Sequence, residues 1–222
     1  RRVFAVHSRI AGALRQAGPA YVGTPRYAAN DESALFWVQA TLIDTALRVY
    51  EDLISPLTDE DRERFYADSL ATSRLFGLSP QSLPGDYGQF RLYYDGMLVS
   101  PRLCVTDEAR ELAEHILTPP NLAAVPLYRF VRAYTAWLLP DGLRQGFGLR
   151  LGAKDRIVLT AGRLAIRRAL PHLPSHLRFF PDYLDAERRL RHQAGPDRRG
   201  HAMARRFLRL LRPSTTLRDV LR

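Results

Sequence analysis

The amino-acid sequence predicts an all-α protein, a single multi-helix domain without a β-sheet. Apolar residues recur along most of the 222 residues with the three-to-four-residue spacing of one helix face. No stretch alternates apolar and polar residues with the period of two that is typical of a strand. Prolines and glycines divide the chain into segments of helical length, and an apolar content of 46% suits a packed core.

The first predicted helix begins with the chain and ends near Gly18. The spacing of Val3, His7, Ile10 and Leu14 places them on one helical face, so an otherwise apolar face contains one histidine. On an apolar face, His7 has two interpretations. It is either a hydrogen-bonded core histidine or an axial haem ligand, because a buried neutral imidazole binds iron well. Gly12 leaves a flat patch beside it, which suits either a flat macrocycle or a second helix.

The second predicted helix begins after Asp31, a good N-cap, and ends before Pro56. Asp44 and Arg48 are spaced to form an i, i+4 ion pair along it. Its predicted buried stripe contains one glutamine and comprises Leu35, Gln39, Leu42, Ala46, Val49 and Leu53.

Later helices are marked by capping residues at their starts and by Gly or Pro at their ends. They are predicted over 58–77, from Asp86 to about Leu98, over 106–118, 127–138, 154–170 and 182–193. We therefore expect a helical domain over residues 1–193 and a basic C-terminal tail over 194–222. Within that tail, residues 201–211 are compatible with a short amphipathic helix, but we expect no apolar stripe that docks firmly, and we interpret His201 as solvated.

Charge is distributed unevenly. Residues 1–143 hold 14 Lys+Arg and 17 Asp+Glu, whereas residues 144–222 hold 19 and 6. A basic segment favours an anionic partner such as nucleic acid or anionic lipid. Because Lys154 is the only lysine, we interpret the excess as a solvated, arginine-rich surface and expect no specific nucleic-acid partner.

Several classes of protein are disfavoured. The single cysteine, Cys104, excludes an internal disulfide, and we interpret it as a small buried residue. No apolar run reaches the 18 or so residues of a membrane span. His172 and His176 are separated by Pro174, which disfavours a helical metal-binding pair. The chain begins without Met or a capping residue, so we expect that upstream sequence precedes it.

Two ordered signatures resemble a known family. The first is Arg2 and His7 followed by Ile10 and Gly12, and the second is Tyr27-Ala28-Ala29-Asn30-Asp31 leading into Trp37-Val38-Gln39-Ala40-Thr41-Leu42. Further matching motifs extend to about residue 192. The sequence resembles the bacterial family of mpaB-type oxygenases and rubber oxygenases, or latex-clearing proteins.

This resemblance implies an all-helical fold with a globin-like core, a haem b cofactor, and oxygenase chemistry on a small apolar substrate with dioxygen. It implies that His7 is the proximal iron ligand, with Gly12, Gln39 and Thr41 at the haem pocket. Gln39 departs from the family, which usually has a histidine there. The resemblance also implies that the N-terminal part of the family domain is missing here and that the protein is bacterial and cytoplasmic. The alternative is a haem-free, non-catalytic helical module whose basic surface binds an anionic partner.

Overall fold

Helices dominate the computed structural model, which describes residues 6–13, 26–192 and 195–210. Its α-helices are α1 Glu32–Leu53, α2 Asp59–Leu75, α3 Tyr87–Leu98, α4 Asp107–Leu117, α5 Val125–Leu138, α6 Asp141–Gly146, α7 Ala153–Ala169, α8 Ser175–Arg178, α9 Pro181–Leu190 and α10 Arg198–Leu210. Short 3-10 turns lie at Pro80–Ser82, Leu122–Ala124 and Leu170–His172. The all-α fold class is confirmed.

The prediction of no sheet is wrong in one place. Strand β1 (Ala11–Ala13) pairs antiparallel with β2 (Arg26–Ala28), and Gly12 lies opposite Tyr27. Val6 and His7 are helical, but residues 8–9 form a turn, so the predicted first helix does not continue through Gly12. Glycine is a poor helix former, and here the main chain pairs with a distant segment instead. Val3, Leu14 and Gly18 lie outside the described residues.

Helix α1 begins as predicted. The Asp31 carboxylate accepts hydrogen bonds from the backbone N–H groups of Ser33 at 2.9 Å and Ala34 at 3.0 Å. The helix ends at Leu53, ahead of Pro56. Its buried face is displaced by one residue from the predicted stripe and comprises Phe36, Ala40, Ile43, Asp44, Leu47 and Asp52.

A cluster of aromatic side chains forms the core against α1. Phe90 is fully buried, and its ring centroid lies 5.1 Å from that of Tyr66 and 6.0 Å from that of Tyr94. The Tyr66 hydroxyl donates to the Pro84 carbonyl at 2.7 Å, which ties α2 to the loop before α3. Burial raises the pKa of Tyr66, so it stays protonated. The predicted cap at Thr58 is confirmed, with Asp61 reciprocating.

The described residues group into two compact units. The first unit comprises those that fall within 1–112 and 138–148, and the second those that fall within 113–137 and 149–222. The division into a domain over 1–193 and a tail over 194–222 stays a prediction. The amphipathic helix expected near residues 201–211 is confirmed as α10. It contacts α8 and α9 within the second unit. Phe207 and Leu208 stay exposed, and the expectation that no apolar stripe docks firmly stays a prediction.

The structure tests two further expectations, one about the exposure of a cysteine and one about an ion pair. Cys104 is exposed, contrary to prediction, because it lies in the irregular connector before α4 rather than on a helix face. The pairing of Asp44 with Arg48 is confirmed at 3.6 Å. Among the described residues, none of the helices combines the length and apolar character that a membrane crossing requires.

Candidate functional site

An open groove with a volume of about 720 Å³ lies at the start of α1 in the first unit. Two elements that are distant in sequence form its walls: the first turns of α1 and the second half of α3. Its apolar lining consists mainly of Phe36, Trp37, Tyr93, Met97 and Leu103, and Arg26 and Arg102 supply two exposed cations. A groove of this composition can take a flat apolar group that carries negative charge at one edge.

The aromatic wall is fixed by ring contacts. Phe36 is buried, and its ring centroid lies 4.6 Å from that of Tyr93. Trp37 stacks on Tyr94 with a centroid separation of 5.4 Å. Burial raises the pKa of Tyr93, while the nearby Arg102 acts in the opposite direction. The phenol therefore stays neutral near pH 7, which keeps this wall uncharged.

Two carboxylates at the groove are held by hydrogen bonds to the chain itself. The Ser33 hydroxyl and the Ala34 N–H lower the pKa of Asp31. Glu32 accepts from the Ser79 N–H at 2.6 Å and the Ser82 hydroxyl at 2.9 Å, and these bonds lower its pKa. Both groups are therefore ionised at neutral pH, and their hydrogen bonds fix the start of α1 and the 3-10 turn beside it.

A buried ionic network lies behind the aromatic wall. Only 3% of Asp44 is exposed, and its carboxylate pairs with the guanidinium groups of Arg91 and Arg48. The Tyr94 hydroxyl also donates a hydrogen bond to the Asp44 carboxylate. Burial is the main cause that raises the pKa of Tyr94, and the negative charge of Asp44 raises it further. Because Tyr94 stacks on Trp37, the network determines the position of a ring that lines the groove.

The predicted site residues are not among those that line this groove. His7 is half-buried, and its carbonyl accepts from Ile10 N–H at 2.9 Å. The Ile10 carbonyl in turn accepts from the N–H of Ala29, which directly follows the lining residue Ala28. Gly12 in β1 pairs with the lining residue Tyr27. Main-chain hydrogen bonds therefore connect the segment that contains His7 and Gly12 to residues beside or in the lining.

Gln39 and Thr41 lie further along α1, and both are half-buried. The Thr41 hydroxyl donates to the Val38 carbonyl at 2.8 Å, which is a bond within its own helix. Leu42, predicted to share a buried face with Gln39, is 61% exposed. The described lining of the groove does not include His7, Gly12, Gln39 or Thr41. Arg2, part of the first signature, lies outside the described residues.

Sequence reasoning missed the residues that do line the groove. Trp37 is part of the second family signature, whereas Tyr93 shows only the helical spacing of an aromatic residue, which is more typical of a core position. Arg26 and Arg102 carry no local signal, because only the fold brings positions this far apart to one groove.

A second group of polar side chains lies in the second unit. Asp182, Asp185 and His201 offer ligand atoms within 4.8 Å of one another, which is a spacing that a metal ion can bridge. His201 Nε2 lies 2.7 Å from Asp185 Oδ2, and Asp185 Oδ1 accepts from the Asp197 N–H at 2.6 Å. His201 is therefore half-buried and paired, not solvated as predicted, and these contacts join α9 to α10.

Comparison with known proteins identifies the family. The sequence model described as "ER-bound oxygenase mpaB/B'/Rubber oxygenase, catalytic domain" matches residues 1–168. No curated protein and no solved structure gives a significant match. The match covers most of the chain and includes all elements of the groove, so the resemblance found in the sequence is confirmed. The chain belongs to the family of mpaB-type and rubber oxygenase catalytic domains.

Proposed function

We propose that the chain is a haem-b-dependent oxygenase that acts on a small apolar substrate with dioxygen, and that the groove at the start of α1 holds the haem. The observation that carries the proposal is a groove whose lining combines aromatic side chains with Arg26 and Arg102. Family membership supports oxygenase activity in general. The haem cofactor, the apolar substrate and the location of the site are parts of this proposal.

The residues of the groove fit the chemistry of haem. Haem b is a flat apolar macrocycle with two carboxylates at one edge. Phe36, Trp37 and Tyr93 would contact its apolar faces, and Arg26 and Arg102 would pair with the carboxylates. His7 would be the axial ligand, an assignment that rests on its place in the family signature and on its main-chain connection to the groove.

The remaining predicted residues have supporting roles in this proposal. Gly12 pairs with Tyr27 and so fixes strand β2, which contains Arg26 and Tyr27. Gln39 would donate an amide hydrogen bond but cannot exchange a proton near neutral pH, unlike the histidine usual in the family. Thr41 would act as a hydrogen-bond acceptor, because its proton is engaged with the Val38 carbonyl.

The division of labour follows from these groups. Bound haem would supply the activation of dioxygen. The chain's own residues would bind the ring, orient it through Arg26 and Arg102, and hold the ring of Trp37 in place through Tyr94 and Asp44.

The cytoplasmic location expected from the sequence stays a prediction.

Haem titration of the purified protein tests this proposal. We expect haem addition to give a Soret band with the wild-type chain, and His7→Ala to lose or greatly weaken that band while far-UV circular dichroism stays unchanged. Arg102→Ala should weaken haem binding by roughly fivefold, the effect of one exposed ion pair. His115→Ala is the matched control, because His115 is also half-buried and is not among the residues that line the groove.

An unchanged Soret band in His7→Ala would contradict the assignment of the axial ligand. A wild-type chain that binds no haem would instead favour the alternative, a haem-free binding module. The observation that supports the alternative is the charge of residues 144–222, which hold 19 Lys+Arg against 6 Asp+Glu.

A further inference from the structure

Helix α10 separates positive charge from large apolar side chains. Its 13 residues contain Arg198, Arg199, Arg205, Arg206 and Arg209 and no acidic residue. Met203 and Phe207 are four residues apart and share one face, whereas Arg205 and Arg209 share another. This separation is typical of helices that lie in the interface of a membrane.

The part of α10 that packs against the rest of the second unit contains small residues. Gly200 is buried, and a Cβ there would lie 2.3 Å from Asp197 Oδ2. His201, next to it, makes the 2.7 Å contact with Asp185. Docking through these residues, in the first half of α10, positions the helix on α9 and leaves Phe207 and Leu208 in its second half more than half exposed.

The large apolar side chains of α10 stay in contact with solvent. Met203 is 37% exposed, Phe207 53% and Leu208 63%. The neighbouring helix α9 adds exposed apolar residues at both ends, with Phe180 at 83% and Leu190 at 80%. Exposed apolar groups beside arginines, as in the second half of α10, match a partner that is both apolar and anionic.

We propose that α10 binds the surface of an anionic phospholipid membrane, lying in the plane of the interface. Phe207, Leu208 and Met203 enter the boundary between headgroups and acyl chains, and the arginines contact lipid phosphates. An anionic membrane matches both observed features, whereas a nucleic acid would use the arginines and leave Phe207 and Leu208 in water. The inference is independent of haem binding, since it concerns the second unit alone.

Vesicle sedimentation of the full chain tests the proposal. We compare phosphatidylcholine vesicles with vesicles that also contain phosphatidylglycerol. Binding is expected only with the anionic vesicles and is expected to weaken in high salt. Both Phe207→Ser with Leu208→Ser and Arg206→Gln with Arg209→Gln should reduce it by roughly tenfold or more.

The matched control is Leu92→Ser, which removes a 78%-exposed leucine from α3 in the first unit and should leave binding unchanged. A separate variant, Phe207→Trp, adds a reporter whose fluorescence should be quenched by brominated lipid, relative to the wild-type background from Trp37 and Trp137. This readout keeps the test valid even if the double variants are poorly folded.

Three results would overturn the proposal. The first is an absence of binding to anionic vesicles, and the second is equal binding to neutral ones. The third is loss of binding in the arginine variant only, with full binding in Phe207→Ser with Leu208→Ser. That pattern would identify a purely electrostatic partner such as a nucleic acid.

Discussion

The buried side chains of the two units differ in size. In the first unit, the core cluster contains Phe36, Ile43, Leu47, Tyr66, Phe90 and Tyr94. The apolar residues buried in the second unit contain one aromatic ring and comprise Leu117, Ala124, Ala133, Tyr134, Ala136, Leu149 and Leu159. Apolar burial is worth about 25 cal/mol per Å², so large rings supply more of the first unit's stability than small side chains supply in the second.

The second unit also contains polar and cation–ring contacts. The Arg163 guanidinium lies 4.2 Å from the ring centroid of Trp137. Arg132 pairs with Glu114 at 3.0 Å, and His201 pairs with Asp185 at 2.7 Å. Contacts of this kind are individually weak and sensitive to salt or pH. The two units should therefore respond differently to mutation and to solution conditions.

The largest expected effect is the loss of Phe90. This ring is fully buried at the centre of the cluster formed with Tyr66, Tyr87 and Tyr94. Phe90→Ala removes the ring and leaves a cavity, which should lower the free energy of unfolding by about 3–5 kcal/mol. Urea denaturation followed by circular dichroism measures the change. Leu92→Ala, at a 78%-exposed position on the same helix, should cost less than about 0.5 kcal/mol. Equal losses in the two variants would refute a core centred on Phe90.

A pair of glycines tests packing in the second unit. A Cβ at Gly162 in α7 would lie 2.2 Å from Phe130 Cδ2, whereas a Cβ at Gly96 in α3 of the first unit meets nothing within 4 Å. Gly162→Ala should therefore destabilise the protein by about 1–3 kcal/mol through overpacking. Gly96→Ala should stabilise it by about 0.5–1 kcal/mol, because alanine is the better helix former. Thermal denaturation gives both signs, and a stabilising Gly162→Ala would show that α7 and α5 do not pack this closely.

Local signals in the sequence were sufficient to predict where several helices begin and end. Asp31 and Thr58 cap their helices as expected. Capping is a local interaction, because the side chain accepts a hydrogen bond from a backbone N–H group only two or three residues away. Gly77, predicted to end a helix, has a φ of 92° directly after α2. The strands were missed because each has three residues and pairs with a segment distant in sequence.

The buried face of α1 was predicted one residue out of place, because two neighbouring stripes of this helix are almost equally apolar. One contains Leu35, Gln39 and Leu42, and the other Phe36, Ala40 and Ile43. Only the packing of the core against Phe36 and Ile43 decides between them. The groove could not be predicted for the same reason, since Arg26, Trp37, Tyr93 and Arg102 are joined by tertiary structure alone. The family and the helical class were accessible because motif order and periodicity are properties of the sequence itself.

The smallest expected effect concerns the contact between α9 and α10. Hydrogen bonds from His201 and from the Asp197 N–H lower the pKa of Asp185. A carboxyl whose folded pKa is depressed stabilises the folded state above its unfolded pKa of about 3.9. That contribution is lost as the pH falls through the lower, folded value. The docked α10 should therefore be insensitive to Asp185 titration at neutral pH and should loosen in acid, below about pH 4.

Hydrogen exchange of residues 198–210 measures this docking directly. At pH 7, Asp185→Asn removes the charged acceptor of both hydrogen bonds, so α10 should lose protection while the first unit keeps its own. Asp182→Asn is the matched control, because Asp182 is exposed on the same helix and its substitution should leave protection unchanged. Equal protection of α10 in wild type and Asp185→Asn would mean that Gly200 and the small residues around it hold the helix without the contact between His201 and Asp185. In that case the pH dependence should disappear as well, since the same carboxylate is the source of both effects.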